Sequence, residues 1–288
     1  MRAVLAASFG VAALLGGACG SITSSSTAPA STTSTSAATT TAPSDQGRGV
    51  VVPVAGHPPQ DGVPWYLAIG DSITFGYTVD PARAGVNSSW ALQLEGLLSN
   101  KGKPWKLFDT ACPGETTTTY FTGCHDTRNG AFLGGKPQHD VALAAIKAHA
   151  KDLKLILIDI GSNDLLRAKA ANQTALQAFA VLQTNLNRII PELQQAAPGV
   201  PIVMANYYDP LENADPSTVG QLSLVNGALA QLAMSSHLIL ADFFAAINTP
   251  AAPDPDLGKY VDLAHLDIHP TALGHTRLAQ AALAVIPS

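Results

Sequence analysis

Short apolar runs alternate along much of the chain with longer stretches in which apolar residues recur at helical spacing. The run Leu153–Ile160 is almost continuously apolar, as expected of a central parallel strand that is buried on both faces. Ala175–Ala196 instead has apolar residues at the spacing of one helix face. The predicted strands are Trp65–Ile69, Trp105–Ala111, Leu153–Ile160, Pro201–Asn206 and His237–Asp242, and the predicted helices are Ser89–Leu98, Val141–Ala150, Ala175–Ala196, Val219–Met234 and Thr271–Val285. This alternation predicts an α/β fold, a three-layer α/β/α sandwich around a doubly wound, mainly parallel, five-stranded sheet with right-handed crossovers.

Polar segments directly follow four of the predicted strands. They are Ser72 after the first, Cys112–Gly114 after the second, Gly161–Asp164 after the third and Asn206–Asp209 after the fourth. In a doubly wound sheet, ligands bind beyond the carboxyl ends of the strands. We therefore expect these segments to meet at one edge of the sheet and to form the functional site.

Residues 1–19 read as a targeting segment rather than as part of the fold. Arg2 gives a minimal positive start, and Ala3–Ala18 is apolar or small, which is typical of an export signal and somewhat short for a spanning helix. The sequence Leu15-Gly16-Gly17-Ala18-Cys19 resembles the signal of bacterial lipoproteins, with Gly16 where leucine is usual. In this interpretation Cys19 is lipidated and attaches an exported protein to a membrane of the cell envelope. The alternative is ordinary cleavage and soluble secretion.

Composition predicts a linker over residues 20–61 and one folded domain over residues 62–288. Ser, Thr, Ala and Pro dominate residues 20–48, a composition that cannot bury enough apolar surface to fold. The chain has 288 residues, 47% of them hydrophobic and 13% charged, which is enough for one large domain with a buried core. The formal net charge of −5 and the lack of a Lys/Arg cluster argue against nucleic acid as a partner. We expect a monomer.

The three cysteines divide into one at the targeting segment and two in the domain. If Cys19 carries a lipid, Cys112 and Cys124 form an even pair in an exported protein. Such a pair predicts a disulfide that closes a short loop. The alternative is two free thiols.

Two widely separated segments hold the residue types needed for nucleophilic catalysis. Gly70-Asp71-Ser72-Ile73 follows the first strand, and Asp267-Ile268-His269-Pro270 precedes the last helix. A serine hydroxyl is a poor nucleophile without an adjacent base, and a histidine can take its proton. The two segments together therefore indicate acyl transfer, with Ser72 as nucleophile and His269 as base.

Four blocks in this order resemble the SGNH, or GDSL, hydrolase superfamily of esterases and lipases. They are Gly70-Asp71-Ser72-Ile73, with Ile73 in place of the usual leucine, Cys112-Pro113-Gly114-Glu115-Thr116, Gly161-Ser162-Asn163-Asp164 and Asp267-Ile268-His269-Pro270. The resemblance implies a flavodoxin-like sandwich and no cofactor or metal. It also implies an oxyanion hole made of the backbone N–H groups of Ser72 and Gly114 and the side-chain amide of Asn163.

The acid that orients the histidine departs from the pattern of that superfamily. Its members usually carry the acid three residues before the histidine, where this chain has Leu266. Asp267, two residues before His269, is the predicted acid. The alternatives are Asp262 and a backbone carbonyl that would leave a Ser–His dyad.

The remaining polar and aromatic residues near these blocks have simpler interpretations. Asp71 and Asp164 are predicted to hold loops through side-chain to backbone hydrogen bonds. His125, His139, His265 and His275 are interpreted as surface or packing residues rather than as a metal site. Two interpretations stay open for four aromatic residues: they either line an apolar or sugar-stacking surface or are packing residues. They are Tyr120, Phe121, Tyr207 and Tyr208.

The function predicted from these residues is hydrolysis of a carboxylic ester through an acyl-enzyme. The substrate is a small-molecule, lipid or glycan ester, and the acyl chain length stays open. One alternative is acyl transfer to an envelope glycan or lipid, which uses the same residues with an alcohol in place of water. Another is a non-catalytic ligand-binding module on the same fold.

Overall fold

The computed structural model describes residues 58–80, 89–124, 133–249 and 253–287. The predictions for residues 1–19, including the lipidation of Cys19, for most of the linker and for His125 lie outside the described residues. No helix in the described part of the chain combines the length and the apolarity that crossing a bilayer requires.

Five parallel strands form the centre of the domain. They are β1 (Trp65–Gly70), β2 (Lys106–Asp109), β3 (Leu153–Asp159), β4 (Ile202–Ala205) and β5 (Ile239–Ala241). Their order across the sheet is β2-β1-β3-β4-β5, and every neighbouring pair is parallel. The predicted fold class is therefore confirmed, and the connections reverse direction between β1 and β3.

Nine α-helices are seen among the described residues, on the two faces of this sheet and in its loops. They are α1 (Ser72–Phe75), α2 (Trp90–Asn100), α3 (Gln138–His149), α4 (Ser162–Ala170), α5 (Ala175–Ala196), α6 (Ser217–Ser235), α7 (Phe243–Ile247), α8 (Leu257–Tyr260) and α9 (Ala272–Val285). The bounds of α5 are those predicted, and Thr174 begins it with a capping box in which Gln177 is the reciprocal partner.

Alternate residues of β1 separate the core into its two halves. Trp65, Leu67 and Ile69 pack with α3, α5 and α6 on one face. Tyr66 and Ala68 pack with α2, α7 and α9 on the other. Because successive strand residues point to opposite faces, a strand buried on both sides is apolar throughout, and all six residues of β1 are buried.

The sequence pattern did not reveal α4, α1, α7 or α8. Helix α4, whose sequence is SNDLLRAKA, buries only Ala168 fully, so it has no apolar stripe long enough to show periodicity. The other three helices are four or five residues long. Both α1 and α4 begin at segments that form the site.

Candidate active site

His269 lies in hydrogen-bond contact with both Ser72 and Asp267. Ser72 Oγ is 2.8 Å from His269 Nε2, and His269 Nδ1 is 2.6 Å from Asp267 Oδ1. In this arrangement the imidazole can accept the hydroxyl proton while the carboxylate holds the ring in the required tautomer. The structure thus brings together the residues assigned from the sequence to nucleophile, base and acid, and the roles themselves stay predictions.

The turn that carries Ser72 is held by Asp71. Its Oδ1 accepts a 2.9 Å hydrogen bond from the backbone N–H of Ile73, which caps α1, and its Oδ2 accepts from Ser162 Oγ and Asn163 Nδ2. The side chain is fully buried, and burial raises the pKa of Asp71 although the hydrogen bonds from Ser162 and Ile73 oppose the shift. These contacts agree with the structural role predicted for Asp71.

A residue in the left-handed conformation directly precedes Asp267. Leu266 has φ 55°, and its side chain is 94% exposed. Burial raises the pKa of Asp267, but the hydrogen bond from His269 and the charge of its ring lower it by more, so the net shift is downward. Asp262 instead accepts from His265 Nδ1 at 2.7 Å, which leaves Asp267 as the carboxylate on the His269 ring.

Two tyrosines support the histidine segment. The Tyr77 ring lies 4.6 Å from the His269 ring, centroid to centroid, and Tyr208 Oη donates a 2.8 Å hydrogen bond to the carbonyl of Ile268. Tyr77 was not singled out from the sequence. Its position five residues after the nucleophile, past the turn at Gly76, was the only available signal.

Two of the three predicted oxyanion donors are backbone N–H groups, and neither bonds to an acceptor among the described residues. They are the N–H groups of Ser72 and Gly114. Gly114 has φ +75°, a left-handed conformation that a side chain would strain. The amide of Asn163 is engaged, because its Nδ2 lies 3.0 Å from the carbonyl of Glu115 and 3.2 Å from Asp71 Oδ2.

Helix α4 holds the loop that carries Gly114. Arg167 donates a 2.8 Å hydrogen bond to the carbonyl of Gly114, and Asp164 accepts two from Thr117, from its backbone N–H at 2.8 Å and its hydroxyl at 2.6 Å. The structural role predicted for Asp164 agrees with these contacts. Arg167 was missed from the sequence, although it lies four residues after Asn163 and thus on the same helix face.

Cys112 and Cys124 form the predicted disulfide, with their Cα atoms 5.8 Å apart. The bond closes the segment that contains Gly114. A Glu115 carboxylate oxygen lies within 4.8 Å of both sulfur atoms, a spacing that could hold a metal ion. Sulfurs bonded to each other carry no thiolate charge, so this group does not make a metal site.

Several buried carboxyl groups surround the site. Burial raises the pKa of Asp159 to about 8, with a further contribution from the charge of Asp71, and its Oδ2 accepts hydrogen bonds from Thr74 Oγ1 and Trp90 Nε1. Burial also raises the pKa of Glu115 to about 7. Both groups therefore carry a proton for at least part of the time at neutral pH.

A cavity of about 360 Å³ opens beside Ser72 and His269. It lies between α4, the start of α5 and α6. Tyr207 and Tyr208 line it, but both are nearly buried and their hydroxyls bond the carbonyls of Ile160 and Ile268. They therefore both pack in the core and form the cavity wall, whereas Tyr120 and Phe121 lie in contact with His139 away from it.

Three of the histidines singled out from the sequence have partners outside the site. His139 contacts Asp140 and Glu192, His265 contacts Asp262, and buried His275 accepts from the Trp90 backbone N–H at 3.3 Å. These contacts agree with the interpretation of these histidines as surface or packing residues.

Comparison with solved structures shows the same fold in bacterial and metagenomic proteins. An acetylxylan esterase, Axe2, from Geobacillus stearothermophilus is 18% identical, with a TM-score of 0.55 over 81% of this chain and 97% of that one. The lipase Lip_vut3 from a goat rumen metagenome is 18% identical, with a TM-score of 0.56 over 77% and 97%. A GDSL-like lipase from Parabacteroides merdae is 14% identical, with a TM-score of 0.54 over 78% and 98%.

Sequence comparison identifies the family directly. None of the curated proteins compared with this chain matches it. The model of the GDSL-like Lipase/Acylhydrolase family matches residues 68–277, a range that includes the four blocks found in the sequence. The chain therefore belongs to the GDSL-like lipase/acylhydrolase family, and it is a carboxylic ester hydrolase.

Proposed function

We propose that the enzyme cleaves carboxylic esters through an acyl-enzyme formed on Ser72. The observation that supports this most strongly is the continuous chain of contacts from Ser72 Oγ through His269 to Asp267, at 2.8 and 2.6 Å. A hydroxyl in direct contact with an imidazole can be deprotonated as it attacks.

The first half-reaction forms the acyl-enzyme. Ser72 Oγ attacks the ester carbonyl as its proton passes to His269 Nε2, and the carbonyl oxygen becomes an oxyanion. The free N–H groups of Ser72 and Gly114 donate to it. The side-chain amide of Asn163 is the third donor. Its N–H that makes the 3.2 Å contact with Asp71 donates to the oxyanion as well. Collapse of the intermediate breaks the bond to the alcohol oxygen, which takes the proton from His269 and leaves.

The second half-reaction regenerates the serine. A water molecule gives its proton to His269 Nε2 and attacks the acyl carbonyl, and the same donors stabilise the second oxyanion. Ser72 Oγ then leaves with the proton from His269, and the carboxylic acid is released. Asp267 stays ionised throughout, in keeping with its lowered pKa, and stabilises the positively charged ring.

The test combines activity with covalent labelling. We expect Ser72→Ala to lose at least about 10³-fold in kcat/KM on p-nitrophenyl acetate and to lose labelling by a fluorophosphonate probe. Ser162→Ala is the matched control because Ser162 also lines the cavity but donates to Asp71. This variant should still be labelled, on the peptide that contains Ser72. Undiminished hydrolysis by Ser72→Ala, or a label on another residue, would contradict the acyl-enzyme.

We also propose that the enzyme is exported and held at the cell envelope through a lipid on Cys19. The support is the sequence of residues 1–19 together with a disulfide in the domain, which is typical of oxidising compartments. Radiolabelled palmitate should enter the full-length protein and not the Cys19→Ala variant. Equal labelling of both, or of neither, would contradict lipidation.

A further inference from the structure

We propose that the cavity beside Ser72 holds the acyl chain of the substrate and that the enzyme prefers esters of medium-chain fatty acids to acetate esters. The inference rests on the proposed function, since it needs Ser72 as the point of acyl attachment. It names the substrate class, which neither the family nor the fold determines.

The position of the cavity supports this assignment. Its lining includes Ser72, His269 and Asn163, so a chain attached to the reacting carbonyl can enter it directly. The buried floor contains Tyr208, and the lining extends to residues exposed at the surface, such as Gln221. The cavity therefore has both a buried part, at Tyr208, and a part exposed to solvent, at Gln221.

The size of the cavity exceeds what an acetyl group needs. A volume of 360 Å³ corresponds to about twelve water-sized units, because a water molecule occupies about 30 Å³ in the liquid. The methyl group of an acetyl ester fills about one such unit. The cavity therefore has room for a chain several methylene groups longer than acetyl, with the ester group at Ser72.

Apolar parts of the cavity wall come from three helices. Leu165 and Leu166 belong to α4, Ala175 begins α5, and Leu222 and Val225 belong to α6. Surfaces of this kind gain free energy from each methylene that they remove from water.

Three of the polar residues in the lining, Asn206, Thr218 and Asp159, bond to other protein groups. Asn206 donates to Asp242 and accepts from the backbone N–H of Phe244, and Thr218 donates to Asp209. Asp159 accepts from two donors at its Oδ2, and its raised pKa reduces the charge on the cavity floor. Few hydrogen-bonding groups thus remain for sugar hydroxyls in the buried part, which favours an apolar chain.

The order of the reaction assigns the chain to the acyl side. The acyl group stays on Ser72 between the two half-reactions, whereas the alcohol must leave so that water can reach His269. A long chain can therefore remain in the cavity through both half-reactions only if it belongs to the acyl group.

The test is a chain-length series on the full-length enzyme with p-nitrophenyl acetate, butyrate, hexanoate, octanoate and decanoate. Each buried methylene should raise kcat/KM about fourfold, so the burial of only three would raise the octanoate value about 60-fold over acetate. A parallel series of acetate esters with lengthening alcohols should show no such rise. A profile that is flat or falls from acetate, or a rise confined to the alcohol series, would overturn the proposal. Loss of acetate hydrolysis in Ser72→Ala would leave the proposed function standing in either case.

A cavity-filling variant tests the walls themselves. Leu222→Trp, on the cavity side of α6, should lower the octanoate-to-acetate ratio of kcat/KM at least about tenfold, and Leu166→Trp on α4 should do so independently. Leu224→Trp is the matched control, because Leu224 lies on the same helix but is 66% exposed and outside the lining. Its ratio should equal that of the wild type. Unchanged ratios in folded Leu222→Trp and Leu166→Trp, judged by circular dichroism, would overturn the assignment.

Discussion

At the scale of single residues, the contact between Asp267 and His269 follows directly after a residue in the left-handed conformation, Leu266. The left-handed Leu266 turns its own side chain to solvent, and Asp267 then lies against the imidazole. Left-handed backbone is strained for a residue with a side chain, and the loop holds it in place through the backbone pairing of Asp262 with His269 and Asp267. The proposed acid, Asp267, thus contacts the His269 ring from the position directly after Leu266.

Asp267→Asn should lower kcat at least about 100-fold, because an amide neither stabilises the charged imidazole nor holds the required tautomer. The measurement is kcat on p-nitrophenyl acetate. Asp262→Asn is the control, since that carboxylate bonds His265, and it should stay within about threefold of wild type. Adding Leu266→Asp to Asp267→Asn should not restore activity, because side chains at position 266 point to solvent. Restored activity would contradict the assignment of Asp267.

At the scale of elements, the short helix α4 organises much of the site. It lines the cavity, carries Asn163 and holds the Gly114 loop through Arg167. Gly161, the residue before it, has φ +118° and leaves no room for a side chain. A Cβ there would lie 2.3 Å from Tyr207 Oη and 2.6 Å from Leu182 Cδ1.

Gly161→Ala should therefore lower both stability and activity. Displacing Tyr207, Leu182 and the start of α4 is expected to cost about 2–4 kcal/mol in the free energy of unfolding and to shift Asn163. Gly227→Ala is the control, because a Cβ at this position within α6 meets nothing within 4 Å. That change should stabilise the protein by up to about 1 kcal/mol, as alanine favours a helix. Urea unfolding measures both, and equal stabilities would contradict the steric argument.

The Cys112–Cys124 disulfide constrains the segment with the Gly114 donor at its centre. Replacing both cysteines with serine should lower the free energy of unfolding by about 3 kcal/mol. The reason is that the disulfide restricts the conformations of the unfolded chain between Cys112 and Cys124, and the variant lacks this restriction. The kcat should also fall, because the loop holds Gly114 less firmly. Thermal melting and kcat of the double variant test this. A reductant should produce the same changes in the wild type and no change in the double variant. An unaltered melting temperature would contradict it.

At the scale of the whole molecule, folding buries several carboxyl groups at the edge of the sheet, and this burial makes stability depend on pH. Glu115 is nearly inaccessible, bonds Gln138 at 3.2 Å and has a pKa raised to about 7. Between the ordinary pKa of 4.5 and this value, the folded protein binds a proton that the unfolded chain has released. The contribution of Glu115 to stability is therefore fully present below pH 4.5 and is lost as the pH rises through about 7.

Glu115→Gln should reduce the pH dependence of stability. Between pH 5 and 7 the wild type should lose more free energy of unfolding than the variant, by about 1–3 kcal/mol. Asp215→Asn is the control, because the hydrogen bond from Lys169 lowers the pKa of Asp215 to about 2 and the group stays ionised across this range. Urea unfolding at several pH values measures the difference. Parallel curves for wild type and Glu115→Gln would contradict the prediction.

The sequence by itself determined the sheet, the long helices, the family and the order of the four blocks. Strands buried on both faces must be apolar throughout, and long helices on a sheet must carry an apolar stripe, so both leave local patterns. Only the tertiary structure decided which carboxylate meets His269, that Arg167 and Tyr77 contact the site, and how large a cavity lies beside Ser72. These features arise where residues distant in sequence meet at the edge of the sheet. Short polar segments carry no periodic signal from which such contacts could be read.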